Sequence, residues 1–266
     1  MEDRNDATPL PALTATPAEG TRLERKRKNK VVTISIVYDN NLHLPNFHND
    51  WGFSCCIEGL DKTILFDTGG SGKILLENMQ KLEIDPAGIG GVFLSHEHKD
   101  HTGGLDSLLK KNSRIDVWVP YFFSQQFKDF LRKKGSNVME TKDQGKICEG
   151  AHTTGVINGW IKEQSLVLET GTGLVLITGC AHPRIVHIVQ TAKRMFKRDL
   201  HTIIGGFHLV GFEDDTIEEI IDTLQREGVI QAGPCHCSGE DARRLFAQAF
   251  VENFLDLGVG KKIVIP

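Results

Sequence analysis

From Ser95 to Leu105 the chain reads Ser-His-Glu-His-Lys-Asp-His-Thr-Gly-Gly-Leu, placing His96, His98, Asp100 and His101 within six residues. The run follows the apolar stretch Gly91-Val92-Phe93-Leu94 and precedes a helical pattern carried by Leu105, Leu108 and Leu109. Neutral nitrogen and anionic oxygen donors at that density are what a divalent ion requires. A chain built around it must end a strand there, turn, and bring further ligands in from distant sequence.

In an extended segment residues i and i+2 share a face. His96 and His98 therefore converge on one ion, while Glu97 and Lys99 point elsewhere. Asp100 and His101 stand where the chain turns into a helix and can face a second ion. Two ions about 3.5–4 Å apart share a water and make it a hydroxide near neutral pH. Two ions need more ligands than this cluster holds, and four candidates lie at strand ends in the second half. They are Cys180 and His182 in Thr178-Gly179-Cys180-Ala181-His182, His208 after Gly205-Gly206-Phe207, and His236 between Cys235 and Cys237. Cys180 is a candidate thiolate bridge, and His208 is as well placed to support a ligand as to be one. Asp67, ending a strand at a glycine turn, is expected to orient a ligating histidine or Asp100 from behind. His152 is a weaker candidate; His43, His48, His187 and His201 are read as surface or structural residues, with His48 in a loop from which it could reach a substrate.

The remaining sequence sets the frame. Residues 1–30 contain almost no large apolar side chain, end in a basic run from Arg25 to Lys30, and are expected to form a disordered, solvated tail. A single domain is expected over 31–266. It opens with the β-branched strand Val31–Val37, followed by hairpins turning at Gly59-Leu60-Asp61 and at Thr170-Gly171-Thr172. Each hairpin leads through a tight turn into a helix, one carrying Ile74, Leu75 and Met79, the other opening at Pro183. This echo suggests two similar halves packed sheet on sheet with helices outside, the second half beginning near Gly135. A formal charge of −4 and a pI near 6.3 argue against nucleic acid or an acidic membrane as partner. No apolar run reaches the roughly 18 residues of a membrane span. The six cysteines form no disulfide framework, and with no secretory pattern at the start a reducing cytoplasm is expected.

The motif His96-x-His98-x-Asp100-His101, preceded by Phe66-Asp67-Thr68-Gly69 and followed by single later histidines, resembles the metallo-β-lactamase superfamily over nearly all of 31–266. The strings around Cys180, His208 and His236 resemble a subgroup described as 7,8-dihydropterin-6-methyl-4-(β-D-ribofuranosyl)-aminobenzene-5′-phosphate synthase-like. The resemblance implies an α/β fold, an αββα sandwich of two mixed β-sheets with the metal site at one edge. By motif position it implies His96, His98 and His182 on one ion, and Asp100, His101 and His236 on the other. Cys180 departs from the bridging aspartate common in the superfamily.

The expected activity is that of a metal-dependent hydrolase, in which a metal-bound hydroxide attacks a phosphate ester, lactone or thioester and Asp100 is catalytic. The expected cofactors are two divalent ions, zinc first, with iron and manganese also compatible; the expected partner is a small-molecule substrate. The subgroup name implies instead a transferase joining a dihydropterin to an aminobenzene ribose phosphate. A non-catalytic metal or ligand sensor is the third reading.

Overall fold

The computed structural model describes residues 31–266, so the expected tail over 1–30 lies outside the described residues. Six strands, β1 (Val32–Tyr38), β2 (Ser54–Glu58), β3 (Ile64–Phe66), β4 (Gly91–Phe93), β5 (Asp116–Pro120) and β6 (Asn137–Thr141), enter one sheet in sequence order. The next six, β7 (Gly145–Cys148), β8 (Ala151–Ile157), β9 (Glu163–Glu169), β10 (Leu174–Thr178), β11 (Leu200–Gly206) and β12 (Gln231–Cys235), make a second sheet. The last strand, β13 (Lys262–Ile265), returns to the first sheet and pairs antiparallel with β1. The chain thus changes sheets between Thr141 and Gly145, a little beyond the boundary expected near Gly135.

The layering follows from alternation along each strand, since successive side chains leave opposite faces of a sheet. Ile34 and Ile36 of β1, Cys55 and Ile57 of β2, Ile64 and Phe66 of β3 and Phe93 of β4 face the second sheet, where Leu166, Leu168, Val175 and Ile177 meet them. Phe66 and Phe93 stack there with ring centroids 5.5 Å apart; truncating either to alanine would cost about 3–5 kcal/mol. The intervening residues Val37, Cys56, Leu65 and Val92 face outward. They pack with side chains of the helices α1 (Gly72–Lys81), α2 (Lys99–Thr102), α3 (Leu105–Leu109) and α4 (Gln125–Lys134) or their flanking loops, among them Leu75, Met79, Leu108 and Leu131. On the far side Val167, Leu174 and Leu176 pack under α5 (Ile185–Phe196), α6 (Asp214–Arg226) and α7 (Glu240–Phe250). The result is helix, sheet, sheet, helix. Among the described residues no helix is long and apolar enough to cross a membrane.

The expected echo between the halves has a structural counterpart. Hairpin β2–β3, helix α1 and parallel strand β4 match hairpin β9–β10, helix α5 and parallel strand β11. Three differences from the sequence reading have local causes. The strands β6, β7 and β8 occupy a stretch where the sequence predicts no strand: partly exposed polar residues in β6 and β7, and the Thr153-Thr154-Gly155 run of β8, dilute the apolar alternation. Helix α5 starts at Ile185 rather than Pro183, because Arg184 at its start has φ +74°, outside helical geometry. Strand β13 is missed because its exposed Lys262 and Val264 leave only Ile263 and Ile265 buried.

Topology places the site. Strands β1, β3 and β4 run parallel in one sheet, and β10, β11 and β12 in the other. All six end near one edge of the sandwich, and open α/β sheets bind ligands at such carboxyl ends. Gln164 ties the sheets together beside that edge. Its backbone N–H donates to Ser95 O at 3.1 Å and its Nε2 donates to Leu94 O at 2.7 Å.

Candidate metal centre

Each strand end supplies one part. Tyr38 leads to Asp39 and Asn40, Phe66 to Asp67, Phe93 to Ser95 and His96, Thr178 to Cys180 and His182, Gly206 to His208, and Cys235 to His236. Several of these turns are tight enough to force L-residues into the left-handed region. Asp67, Ala181, His208 and His236 have φ of +50°, +60°, +54° and +48°. Each such residue costs on the order of 1–3 kcal/mol and persists only where its surroundings over-determine it.

Two donor groups form. The ligand atoms of His96, His98 and His182 lie within 4.8 Å of one another, and so do those of Asp100, His101, Cys180 and His236. In the second group Cys180 Sγ is 3.1 Å from His101 Nε2 and 3.4 Å from His236 Nε2. Asp100 Oδ2 is 3.5 Å and 3.4 Å from the same two nitrogens. In the first, His96 Nε2 is 3.1 Å from His98 Nδ1. The groups adjoin through His96 and His101, whose ring centroids are 4.2 Å apart. Cys180 groups with the second set of donors.

Behind the rings, buried polar groups fix which nitrogen faces inward. His101 donates from Nδ1 to Asp67 Oδ2 at 2.7 Å. His182 donates from Nδ1 to Glu163 Oε2 at 3.0 Å, and His236 from Nδ1 to Asn40 Oδ1 at 3.0 Å. Ser95 Oγ gives its hydrogen to Asp67 Oδ2 at 2.7 Å, which leaves its lone pairs to accept from His96 Nδ1 at 2.9 Å. Four of the five imidazoles thus turn Nε2 toward the centre, the arrangement that raises ligand basicity in metal sites. His98, the exposed one, presents Nδ1 instead.

The electrostatics agree with an ion-accepting pocket. Burial, with the neighbouring His101, pushes His96 well below the ordinary histidine range, and burial also lowers His98. Both are therefore neutral donors. Burial would raise Asp100, but hydrogen bonds from His101 and His236 outweigh it and hold the carboxyl well below its usual range. Burial, with Cys237 alongside, pushes the Cys180 thiol up, so an ion there must displace its proton. Glu163 is fully buried, yet the hydrogen bond from His182 and the nearby His96 hold it well below the carboxylate range.

The donor groups suit a divalent metal ion. Imidazole, thiolate and carboxylate are the donor types that zinc-like divalent ions take. Such nitrogen and sulfur donors do not suit magnesium or calcium.

The other candidates divide. His208 packs its ring 4.7 Å from that of His182, and its Nδ1 is buried without a hydrogen-bond partner. It also shares a group with Cys180 and Cys237. His152 is not brought to the site; its Nε2 lies 2.8 Å from Glu169 Oε1 and its ring on Phe196. His48 is held beside Glu77, 3.7 Å away. Glu97 turns away from the centre and accepts the Ser124 N–H at 2.6 Å. Sequence reasoning missed Glu163, Asn40 and the role of Ser95.

A sequence model of the metallo-β-lactamase superfamily matches residues 54–193. The chain belongs to the metallo-β-lactamase superfamily. Within the superfamily it is 30% identical to the 7,8-dihydropterin-6-methyl-4-(β-D-ribofuranosyl)-aminobenzene-5′-phosphate synthase of Methanocaldococcus jannaschii, over 82% of this chain and 90% of that one. Among solved structures it is similar to Tm1679, described as a metal-dependent hydrolase of the β-lactamase superfamily. That similarity has a TM-score of 0.73 and 27% identity, covering 87% of this chain and 98% of the other. A metallo-β-lactamase fold protein from Bacillus subtilis shares the fold at TM-score 0.67 and 13% identity, covering 88% and 99% of the two chains.

Proposed function

We propose that this chain is a metal-dependent transferase that joins a dihydropterin to an aminobenzene ribose phosphate. What carries the reading is a three-imidazole group beside a four-donor group, in a chain 30% identical to a synthase of that name. When bound, divalent ions there would stabilise charge on a phosphoryl oxygen and supply Lewis acidity. The residues do the rest. His96, His98 and His182 would hold one ion; Asp100, His101, Cys180 and His236 would hold the other. Asp67, Glu163, Asn40 and Ser95 lock the rings so that no reorganisation is needed during reaction. Asp100, anionic and partly exposed, would accept a hydrogen bond from the attacking amine and aim its lone pair. In the step itself the bond from the pterin methylene to a diphosphate oxygen breaks and a methylene–nitrogen bond forms. The amine proton leaves to solvent and diphosphate departs.

Hydrolysis of a phosphate ester, lactone or thioester is the second reading, favoured by the likeness to Tm1679, described as a metal-dependent hydrolase. One experiment separates them. Zinc-loaded protein is given a dihydropterin methyl diphosphate with and without the aminobenzene ribose phosphate, and diphosphate is measured. Release only with both substrates supports the transferase; release with the first alone would replace it by the hydrolase.

A further inference from the structure

Of the three tryptophans, Trp118 is taken into the core at 5% exposure, whereas Trp51 and Trp160 are 53% and 72% exposed. An indole left in water forfeits a large apolar burial, and single exposed apolar residues need no explanation on their own. These two share one location. The Trp51 ring meets His236 edge-on with centroids 5.1 Å apart. The Trp160 ring meets His182 at 5.2 Å and His208 at 5.6 Å. Between them the imidazoles form a row: His182 to His96 at 4.7 Å, His96 to His101 at 4.2 Å, and His101 to His236 at 5.0 Å. One tryptophan therefore stands at each end of the row, each against a different donor group.

Neither indole rides on a loose loop. Gly52, immediately after Trp51, has φ +143°, and a Cβ there would meet Asp100 O at 2.4 Å. Gly159, immediately before Trp160, would set a Cβ 2.7 Å from Pro183 Cα, next to His182. Both loops are thus pressed by a glycine onto the segment that carries a donor of their own half-site. Phe53 N–H strengthens the first seat by donating to Asp100 O at 3.3 Å. The glycines fix both indole backbones beside the donor groups, while the rings stay open to solvent.

We infer that Trp51 and Trp160 are two separate ring-binding platforms, one for each half-site, on which flat aromatic or heteroaromatic groups lie on either side of the reacting bond. The inference rests on the reading in which two ring-bearing substrates meet at this centre, and it adds where each ring is held. An indole face accepts any flat ring, so the platforms set ring-against-ring placement while the polar centre sets the chemistry. Their position at opposite ends of the histidine row makes them two subsites rather than one clamp.

The test is binding without turnover. Metal-loaded full-length protein is titrated calorimetrically with 6-hydroxymethylpterin and, separately, with 4-aminobenzoate, as native protein and as Trp51→Leu and Trp160→Leu. Metal content of each variant is measured as the control for folding and for the centre. Stacking of a ring on an aromatic side chain predicts about a tenfold loss of affinity per platform. The expected result is that each variant weakens one probe by that factor, spares the other and keeps its metal, while Trp→Phe at either position restores binding. Three results would overturn the inference: unchanged affinities in both variants, no binding of either probe to native protein, or loss of the same probe in both. A protein that binds both rings this way yet releases diphosphate from the pterin substrate alone would refute the transferase and leave the platforms standing.

Discussion

Glu163 Oε2 lies 3.0 Å from Nδ1 of His182, and the same carboxylate accepts the backbone N–H groups of Gly179, Cys180, Ala181 and His182 at 2.9–3.1 Å. One buried anion thus shapes the turn that carries two donors of the centre and sets the tautomer of one. Glu163→Gln keeps the volume but replaces an acceptor oxygen with an amide donor facing N–H groups. Supporting residues of this kind are worth roughly 10–100-fold in metal affinity. Chelator competition should show that loss at the three-histidine group, and an unchanged affinity would remove Glu163 from the ligand's support.

The same carboxylate should leave a mark on acid stability. Glu163 is held below its ordinary range in the fold, while an unfolded glutamate titrates near 4.3. As pH falls, the unfolded chain takes up the proton first, so the stabilisation is complete above about pH 5 and fades through and below about 4.3. Urea unfolding of chelator-treated native and Glu163→Gln protein should therefore show a stability gap that is widest near neutral pH and narrows below about 4.5. A gap constant down to pH 3 would contradict this.

His98 reaches the surface while its Nδ1 faces His96 Nε2. Its removal should cost chemistry rather than folding, since substitutions away from packed features usually stay within about 0.5 kcal/mol. His98→Ala is expected to lose at least about 100-fold in diphosphate release, since the position is taken to be an ion ligand. Its circular dichroism and unfolding midpoint should match the native protein. A variant of native activity would take His98 out of the centre.

Loading with metal should acidify the solution. In the ion-free protein burial would lower His101, but Asp67 and Asp100 outweigh it and push the ring up to about 10. At pH 7.5 His101 and the Cys180 thiol both carry protons that an ion must displace, so about two protons leave per chain. Affinity should climb with pH toward 10 for the same reason. A pH indicator in weak buffer reads the release, and Cys180→Ser should lower it by about one.

The convergence of these donor side chains was largely legible because they are rare residue types at strand ends, a pattern that chance seldom produces. His96, His98, Asp100 and His101 stand in one run, and His182 and His236 each follow an apolar strand. Asp67 was legible too, as an aspartate stranded at a glycine turn. Glu163 was not, because Lys162-Glu163-Gln164 reads as the solvated opening of a strand, and its partners are the backbone and ring of the 179–182 turn, distant in sequence. Asn40 hid in a polar loop for a similar reason: its partner is His236, distant in sequence by 196 positions. Trp118 stands in the apolar run Ile115-Asp116-Val117-Trp118-Val119 and Trp160 in a polar stretch, so local pattern separates those two, whereas Trp51 opens a strand-like run and is exposed nonetheless. Strands β6 and β7 escaped because edge strands with wet faces lose the alternation that marks a strand, and the interior β8 because its Thr153-Thr154-Gly155 run interrupts that alternation.

Asp67 receives His101 directly and His96 through Ser95, so a single anion reaches into both donor groups. Any shift of that carboxylate moves a ring in each. An ion held in one group would therefore change the free energy of filling the other, and by thermodynamic reciprocity the effect would run equally both ways.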